Sequence, residues 1–272
     1  MSKNKILLEL QRVELEILKK VVKTCNDNNI KYYMIGGTLL GSVRHNGFIP
    51  WDDDIDIAMF RDDYNRFIDL WPKVKPDDLV MQNKETDKRV HISFTKIRKK
   101  GTRVIEKETK NSGIFKGVFI DIFPLDNIPK EDTIYKDLEY YFFKFLISVS
   151  LYKNGYRSYK SKLIKFISAI SSLFLSFNFI NKVSNYIITR QHNVETEYVT
   201  SYASGYGYKK QRMNKRKIYG DGVLLQFEDC KLNAPTNFTA YLVHLFGDYK
   251  QLPPKEKRGS QHSFIEVDLE NE

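Results

Sequence analysis

Apolar residues recur every three or four positions near the start of the chain, at Ile6, Leu10, Val13, Ile17 and Val21, with charged residues between them. That period predicts an amphipathic helix. The pattern changes at Asn28, where NNIKYYMIGG reads as a turn and a short buried strand, closed by the glycine pair Gly36-Gly37. Thr38 to His45 fits a short helix. Asp54-Ile55-Asp56-Ile57-Ala58-Met59 then alternates polar and apolar side chains, the period of a strand with one face in a core, and RDDYNRFIDLWP reads as a helix ended by Pro72. Further strands are predicted at Leu79 to Gln82, Val90 to Ile97, Thr102 to Glu106 and Gly117 to Phe123, the last closed by Pro124. Lys99-Lys100-Gly101 is the expected hairpin turn between two of them. From about Glu131 to Val199 the period is helical and the composition aromatic, with no strand in the pattern. A strand around Val223 to Phe227 and a helix around Asn237 to Phe246 end the series.

This order predicts an α+β fold, a mixed sheet core with helices and a largely helical middle region. The expected division is a catalytic core over 1–130, a helical basic region over 131–220, and a segment over 221–272 that packs back on the core. The chain has no repeats and no linker rich in Pro, Gly or Ser, so these parts are expected to form one integrated unit.

Composition narrows the class. A chain of 272 residues with 42% apolar and 14% aromatic content can bury a substantial core, which excludes disorder. Cys25 and Cys230 match no metal-ligand spacing and read as thiols of a reducing compartment. The N-terminus lacks the continuous apolar region of a secretory signal. The longest uncharged run, Phe166 to Asn181, is 16 residues with four serines and two asparagines, short of the about 20 apolar residues of a membrane span. The cytoplasm is the expected setting. Net charge is +10, and the 14 Lys and Arg against 4 Asp and Glu between Asp137 and Gly220 account for all of it.

Against that basic background, GFIPWDDDIDIAMF sets Asp52, Asp53, Asp54 and Asp56 within five positions. Neighbouring carboxylates raise each other's cost of ionisation unless a cation sits among them. On a strand, Asp54 and Asp56 share a face about 6 to 7 Å apart, a spacing that suits magnesium or manganese held against phosphoryl oxygens. A calcium loop is excluded, because an EF-hand register starting at Asp52 would put Ile57 at the glycine position and Asp63 at the closing glutamate. The plain alternative is a solvated acidic turn. Upstream, Gly36-Gly37-Thr38 lies between a strand and a helix, where bare N–H groups suit a phosphate. Downstream, Asp121 interrupts the apolar run of GVFIDIFPLD, where a carboxylate is costly without a cation or donor.

The blocks GGTLLGSVRHNGFIPWDDDIDIAM, DIFPLD and LFGDYKQLPPKEKRGSQH together resemble the LicD family, phosphotransferases of the nucleotidyltransferase superfamily related to fukutin-type proteins. The helical middle resembles it only loosely. The resemblance implies a nucleotidyltransferase-like core and transfer of phosphocholine, or a similar alcohol phosphate, from CDP-choline or another CDP-alcohol to a hydroxyl of a cell-surface glycan such as teichoic acid or lipopolysaccharide. CMP is the leaving group. The family signature falls on Gly36, Gly37, Asp54, Asp56 and Asp121, with the three carboxylates as catalytic and magnesium (or manganese) ligands. Thr38, Arg44, Lys96 and Arg98 are the expected nucleotide contacts, since cations must meet the diphosphate. His262 is a candidate substrate contact, while His45 and His91 are weaker ones. A choline headgroup would need an aromatic or acidic cage, for which 17 Tyr and 18 Phe offer too many candidates.

Two further stretches bear on partners. KKQRMNKRK, Lys209 to Lys217, holds six cations in nine residues and reads as a solvated loop able to attract a phosphate-rich acceptor or anionic lipid. Leu163, Phe166, Ile167, Ile170, Leu173, Phe174, Phe177 and Ile180 follow helical spacing between Lys160, Lys162, Lys165 and Lys182. Core packing is the favoured reading of that stripe, with an interfacial helix on the inner membrane leaflet, near a lipid-linked glycan, as the alternative. Two rival functions stand beside the phosphotransferase. One is a nucleotidyltransferase that releases pyrophosphate. The other is a nucleic-acid-binding protein, which leaves the aspartates unexplained, so no nucleic acid is expected.

Overall fold

In the computed structural model, residues 3–259 and 264–269 are described, and they form an α+β fold. The helical period at the N-terminus becomes α1 (Lys3–Asp27), which buries Leu10, Val13, Ile17 and Val21. A short strand β1 (Tyr33–Met34) leads into α2 (Gly36–His45), and β2 (Asp56–Phe60) into α3 (Arg61–Val74). Then come β3 (Leu79–Gln82), β4 (Thr95–Lys99), β5 (Arg103–Glu106) and the long β6 (Phe119–Ile128). The sheet runs β1-β2-β6-β4-β3, with α1 and α3 packed on it. Its one parallel pair among the described strands is β2 with β6, in register Asp56 opposite Asp121.

The middle of the chain supplies α4 (Ile134–Lys153), α5 (Lys162–Phe174) and α6 (Phe177–Thr189), each opened by a side-chain cap from Thr133, Ser161 or Ser176. β7 (Tyr198–Thr200) returns to pair with β6, and β8 (Met213–Asn214) with β7. A π-helical turn, Lys215–Tyr219, precedes the hairpin β9 (Val223–Phe227) and β10 (Cys230–Ala234), then α7 (Phe238–Phe246) and β11 (Phe264–Asp268). One apolar cluster joins the sheet to α1, α2, α3, α7 and the hairpin. A second gathers Phe143, Leu146, Val149, Ile180, Ile187 and Ile188 with Tyr202 and Tyr208.

Several expectations need correction. Pro72 lies within the last turn of α3, which ends two residues later at Val74. Pro124 does not close its strand either. The Asp121 N–H donates toward β2, to the Ile55 carbonyl, so even-numbered residues of β6 direct their N–H groups the other way; the β4 ladder there stops at Ile122 and the β7 ladder begins at Asp126, so Pro124 breaks no bond. No hairpin forms at Lys99-Lys100-Gly101, because β4 pairs with β3 and β6 while β5 pairs with β11. The strand expected from Val90 starts at Thr95, since Asn83 organises the preceding loop by accepting from the N–H groups of Glu85 and Thr86. The apolar stripe of α5 is not core: of Leu163, Phe166, Ile167, Ile170, Leu173, Phe174, Phe177 and Ile180, only Ile180 is fully buried.

α3 is tied to β6 by a bidentate ion pair, Arg61 Nε and Nη2 to the two oxygens of Asp126 at 2.6 and 2.8 Å, with side chains 9% and 2% exposed. Removing one partner strands a buried charge. Asp126→Ala is therefore expected to cost about 3–5 kcal/mol in urea unfolding, and the double change Arg61→Met/Asp126→Leu distinctly less.

Candidate active site

Because β2 and β6 are parallel neighbours in register, the Asp56 and Asp121 side chains emerge beside each other on one face of the sheet. Asp54 approaches the same face from the extended segment before β2. These three carboxylates, Asp52 and the glycine turn line one cleft of about 440 Å³. Phe94, Phe123, Ser204, Tyr206 and Gln211 also line it, Phe94 stacked on Phe123 with ring centres 4.3 Å apart.

The glycine turn is built for close approach. Gly36 has φ +55, a left-handed conformation in which a side chain is strained, and a Cβ there would sit 3.3 Å from Asp56 Oδ2. A Cβ on Gly37 would sit 2.6 Å from Asp52 Oδ2. The N-terminus of α2 has no side-chain cap at Ile35. Its Gly36 N–H donates to Tyr241 Oη at 3.2 Å, and Thr38 Oγ1 accepts from the Asp56 N–H at 2.8 Å. Thr38 thus holds the strand bearing Asp56, while α7 holds the turn.

The electrostatics are unfavourable without a cation. Burial, then the charges of Asp54, Asp121 and Asp52, push the Asp56 carboxyl well above its ordinary range, and Lys96 opposes only part of this. Glu14, buried on α1, is pushed up by burial and by Asp54, Asp53, Asp52 and Asp121. Tyr206 is raised to about 12 by burial and the charges of Asp56, Asp52 and Asp54. Carboxylate oxygens of Asp52, Asp53 and Asp54 lie within 4.8 Å of one another. Asp53 is buried and does not line the cleft, so the donors facing it are those of Asp52, Asp54, Asp56 and Asp121. An all-oxygen set of this charge fits a hard divalent cation.

The predicted cations sit elsewhere than expected. Lys96, opposite Asp121 on β4, places Nζ 3.1 and 3.2 Å from the two Asp121 oxygens, 3.5 Å from Glu106, and 3.3 Å from the Phe119 ring centre. Arg98 is enclosed, donating to Gln82, the Gly117 carbonyl and Glu106. Both line a smaller cavity behind Asp121, together with His91, whose imidazole burial brings down to about 4. Arg44 donates to the carbonyls of Tyr249 and Gln251 and does not line the cleft, and His45 packs edge-on against Trp51. His262 lies outside the described residues.

Sequence reasoning missed Asp52 as a cleft residue, as well as Glu14, Phe94, Tyr206 and Gln211. The period of α1 did contain a signal for Glu14: with Gln11, it is a polar residue on the face that buries Leu10, Val13 and Ile17. Phe94 also borders a second groove of about 550 Å³, lined by Tyr64, Asn83, Lys84, Asn185, Thr189 and His192 among others.

The N-terminus of α2 thus lies beside carboxylates on, or leading into, two adjacent parallel strands. Residues 29–152 match the family described as LicD/FKTN/FKRP, nucleotidyltransferase domain. The chain is 28% identical over 271 aligned residues, 94% of this chain and 96% of the relative, to the lipopolysaccharide cholinephosphotransferase LicD of Haemophilus influenzae. An uncharacterized protein of Rickettsia typhi is 35% identical over 97 residues, 29% of this chain and 31% of its own. The human ribitol 5-phosphate transferase FKRP is 38% identical over 48 residues, 18% of this chain and 10% of its own.

The repulsion has a sign that can be measured. A carboxyl raised in the folded state binds its proton more tightly folded than unfolded, so its contribution to stability declines as pH rises from the ordinary carboxylate range through the raised value. Asp54→Asn removes the largest charge acting on Asp56 and Glu14. In metal-free buffer at neutral pH this variant is expected to melt about 2–4 °C above the parent, a gain of about 1 kcal/mol. The difference between the two should shrink on acidification.

Proposed function

We propose that this protein is a phosphotransferase that moves phosphocholine, or a similar alcohol phosphate, from a CDP-activated donor to a hydroxyl of a cell-surface glycan and releases CMP. The observation that carries this reading is the convergence of Asp54, Asp56 and Asp121 on one cleft with the Gly36-Gly37 turn. The Haemophilus relative, named a lipopolysaccharide cholinephosphotransferase, supports phosphocholine as the moved group and lipopolysaccharide as the acceptor class. The FKRP relative, named for ribitol 5-phosphate transfer, supports an alcohol phosphate more broadly.

In this reading Asp54, Asp56 and Asp121, with Asp52, hold magnesium or manganese, which neutralises phosphoryl charge when bound. The glycine turn seats a phosphate at the α2 N-terminus. The acceptor oxygen forms a bond to the donor's alcohol-bearing phosphorus as the bond from that phosphorus to the CMP oxygen breaks. The hydroxyl proton passes to Asp121. Lys96 acts as a positioning residue, fixing the Asp121 carboxylate between itself and the strand. Most of the acceleration in such a transfer comes from placement and charge. Phe94, Phe123 and Tyr206 offer aromatic faces for a quaternary ammonium. The free thiols of Cys25 and Cys230 suit a reducing compartment, and we assign the work to the cytoplasm at the inner membrane face.

Purified protein incubated with magnesium and a panel of CDP-alcohols, with and without candidate glycans, is expected to release CMP from CDP-choline or a close analogue. Asp56→Asn and Asp121→Asn should each lower that rate by about a thousandfold or more. Pyrophosphate release from a nucleoside triphosphate, with no CMP from any CDP-alcohol, would favour the nucleotidyltransferase rival.

A further inference from the structure

Helix α5 is turned inside out. Leu163, Phe166, Leu173 and Phe174 are 66%, 62%, 80% and 80% exposed, while the fully buried residue of this helix is Ser168. The neighbouring helices bury Ser150 of α4 and Ser184 of α6 as well, there beside a core of Phe143, Leu146, Val149, Ile180, Ile187 and Ile188, and α4 packs against both α5 and α6. Small polar residues at helix contacts with large apolar ones facing out is the arrangement of helices whose surroundings are lipid. In water, an exposed apolar surface of this extent marks an interaction site.

Charge says what covers it. From Tyr140 to Val194 the chain carries eight Lys and Arg and no Asp or Glu. Lys160, Lys162, Lys165 and Lys182 are all exposed around the apolar face. A second copy of the chain across a two-fold axis would set like charges against each other. An anionic surface would not. Among the described residues no single helix is long and apolar enough to cross a membrane, and α5 and α6 meet at a bend of 113°. At 13 residues, α5 spans about 20 Å against the about 30 Å of a hydrocarbon core. Such a helix can lie in the interface with its apolar face buried.

We propose that α5 and the α5–α6 corner dock into the headgroup and upper acyl region of an anionic lipid bilayer, with Leu173 and Phe174 inserted and the lysines on the phosphates. The docked element adjoins the site. α6 contributes Asn185, Ile188 and Thr189 to the groove that shares Phe94 with the acidic cleft. Asn181 of α6 and Asn154, just after α4, donate to the carbonyls of Lys88 and Arg89 in the loop leading to Phe94. Docking therefore brings the groove beside the lipid headgroups, the position a lipid-linked acceptor requires. The inference rests on the proposed transfer only for that last step.

The test uses the full chain without donor or acceptor, so it can fail independently of the transferase assay. Cosedimentation with vesicles of phosphatidylcholine containing phosphatidylglycerol is expected to show binding that weakens with added salt and is much reduced on phosphatidylcholine alone. Leu173→Glu/Phe174→Glu should lower partitioning at least about tenfold, and Lys162→Glu/Lys165→Glu by a similar factor, with circular dichroism and melting unchanged. The proposal is overturned if the folded parent does not bind anionic vesicles, or if the Leu173→Glu/Phe174→Glu variant binds as well as the parent. A concentration-dependent dimer abolished by that variant, with no lipid binding, would overturn it in favour of a second copy.

Discussion

The parallel pairing of β2 with β6 is the constraint from which the site follows. It fixes Asp56 opposite Asp121, and every other part of the cleft is arranged around the charge this creates. Lys96, opposite Asp121 on the far side of β6, supplies one positive charge and is itself held by Glu106 and two aromatic rings. Arg98, next on the same face, is satisfied by Glu106, Gln82 and a carbonyl. The protein thus provides one buried cation at the inner edge of the cluster and leaves the outer carboxylates facing the cleft.

Closing the cleft takes residues from the far end of the chain. Tyr241 on α7 holds the Gly36 N–H, and the segment from Ala203 to Gln211 lines the cleft with the aspartates. Asn46, at φ 57 after α2, accepts from the Glu228 N–H in the β9–β10 turn. The Glu228 carboxylate in turn accepts from the Phe48 N–H. These contacts span some 180 to 205 residues of sequence, so the glycine turn and the acidic segment keep their relation only in the complete fold.

That explains which parts of the site could be read in advance. Asp54 and Asp56 were expected on one face from their spacing of two, and Asp121 was singled out by its interruption of an apolar run; the structure brings all three to one cleft. The glycine pair was legible because a strand-to-helix turn needs it. Arg44, Lys96 and Arg98 show the limit of the same reasoning. A cation at the right spacing has a knowable direction, but its partner is set by neighbouring strands and loops, and all three are engaged by carboxylates or carbonyls. Glu14, Tyr206 and Gln211 belong to elements distant in sequence and meet the aspartates only through tertiary packing. The pairing of β5 with β11, separated by more than 150 residues, was unreadable for the same reason.

Helix α5 shows the limit in its sharpest form. Hydrophobic period identifies a face and its direction along the chain, and it is silent on what that face meets. In α1 the stripe meets the sheet, and its polar exceptions, Gln11 and Glu14, are drawn into the acidic segment. In α5 the same kind of stripe is left exposed among the described residues, and the buried residue is Ser168. The charge distribution separates the two cases. Around the aspartates, positive side chains are buried and paired one by one. From Tyr140 to Val194, 55 consecutive residues carry eight Lys and Arg and no Asp or Glu; among the described residues Arg190 alone of these reaches a carboxylate partner, Glu139, and the remaining imbalance is one that a negatively charged surface would resolve.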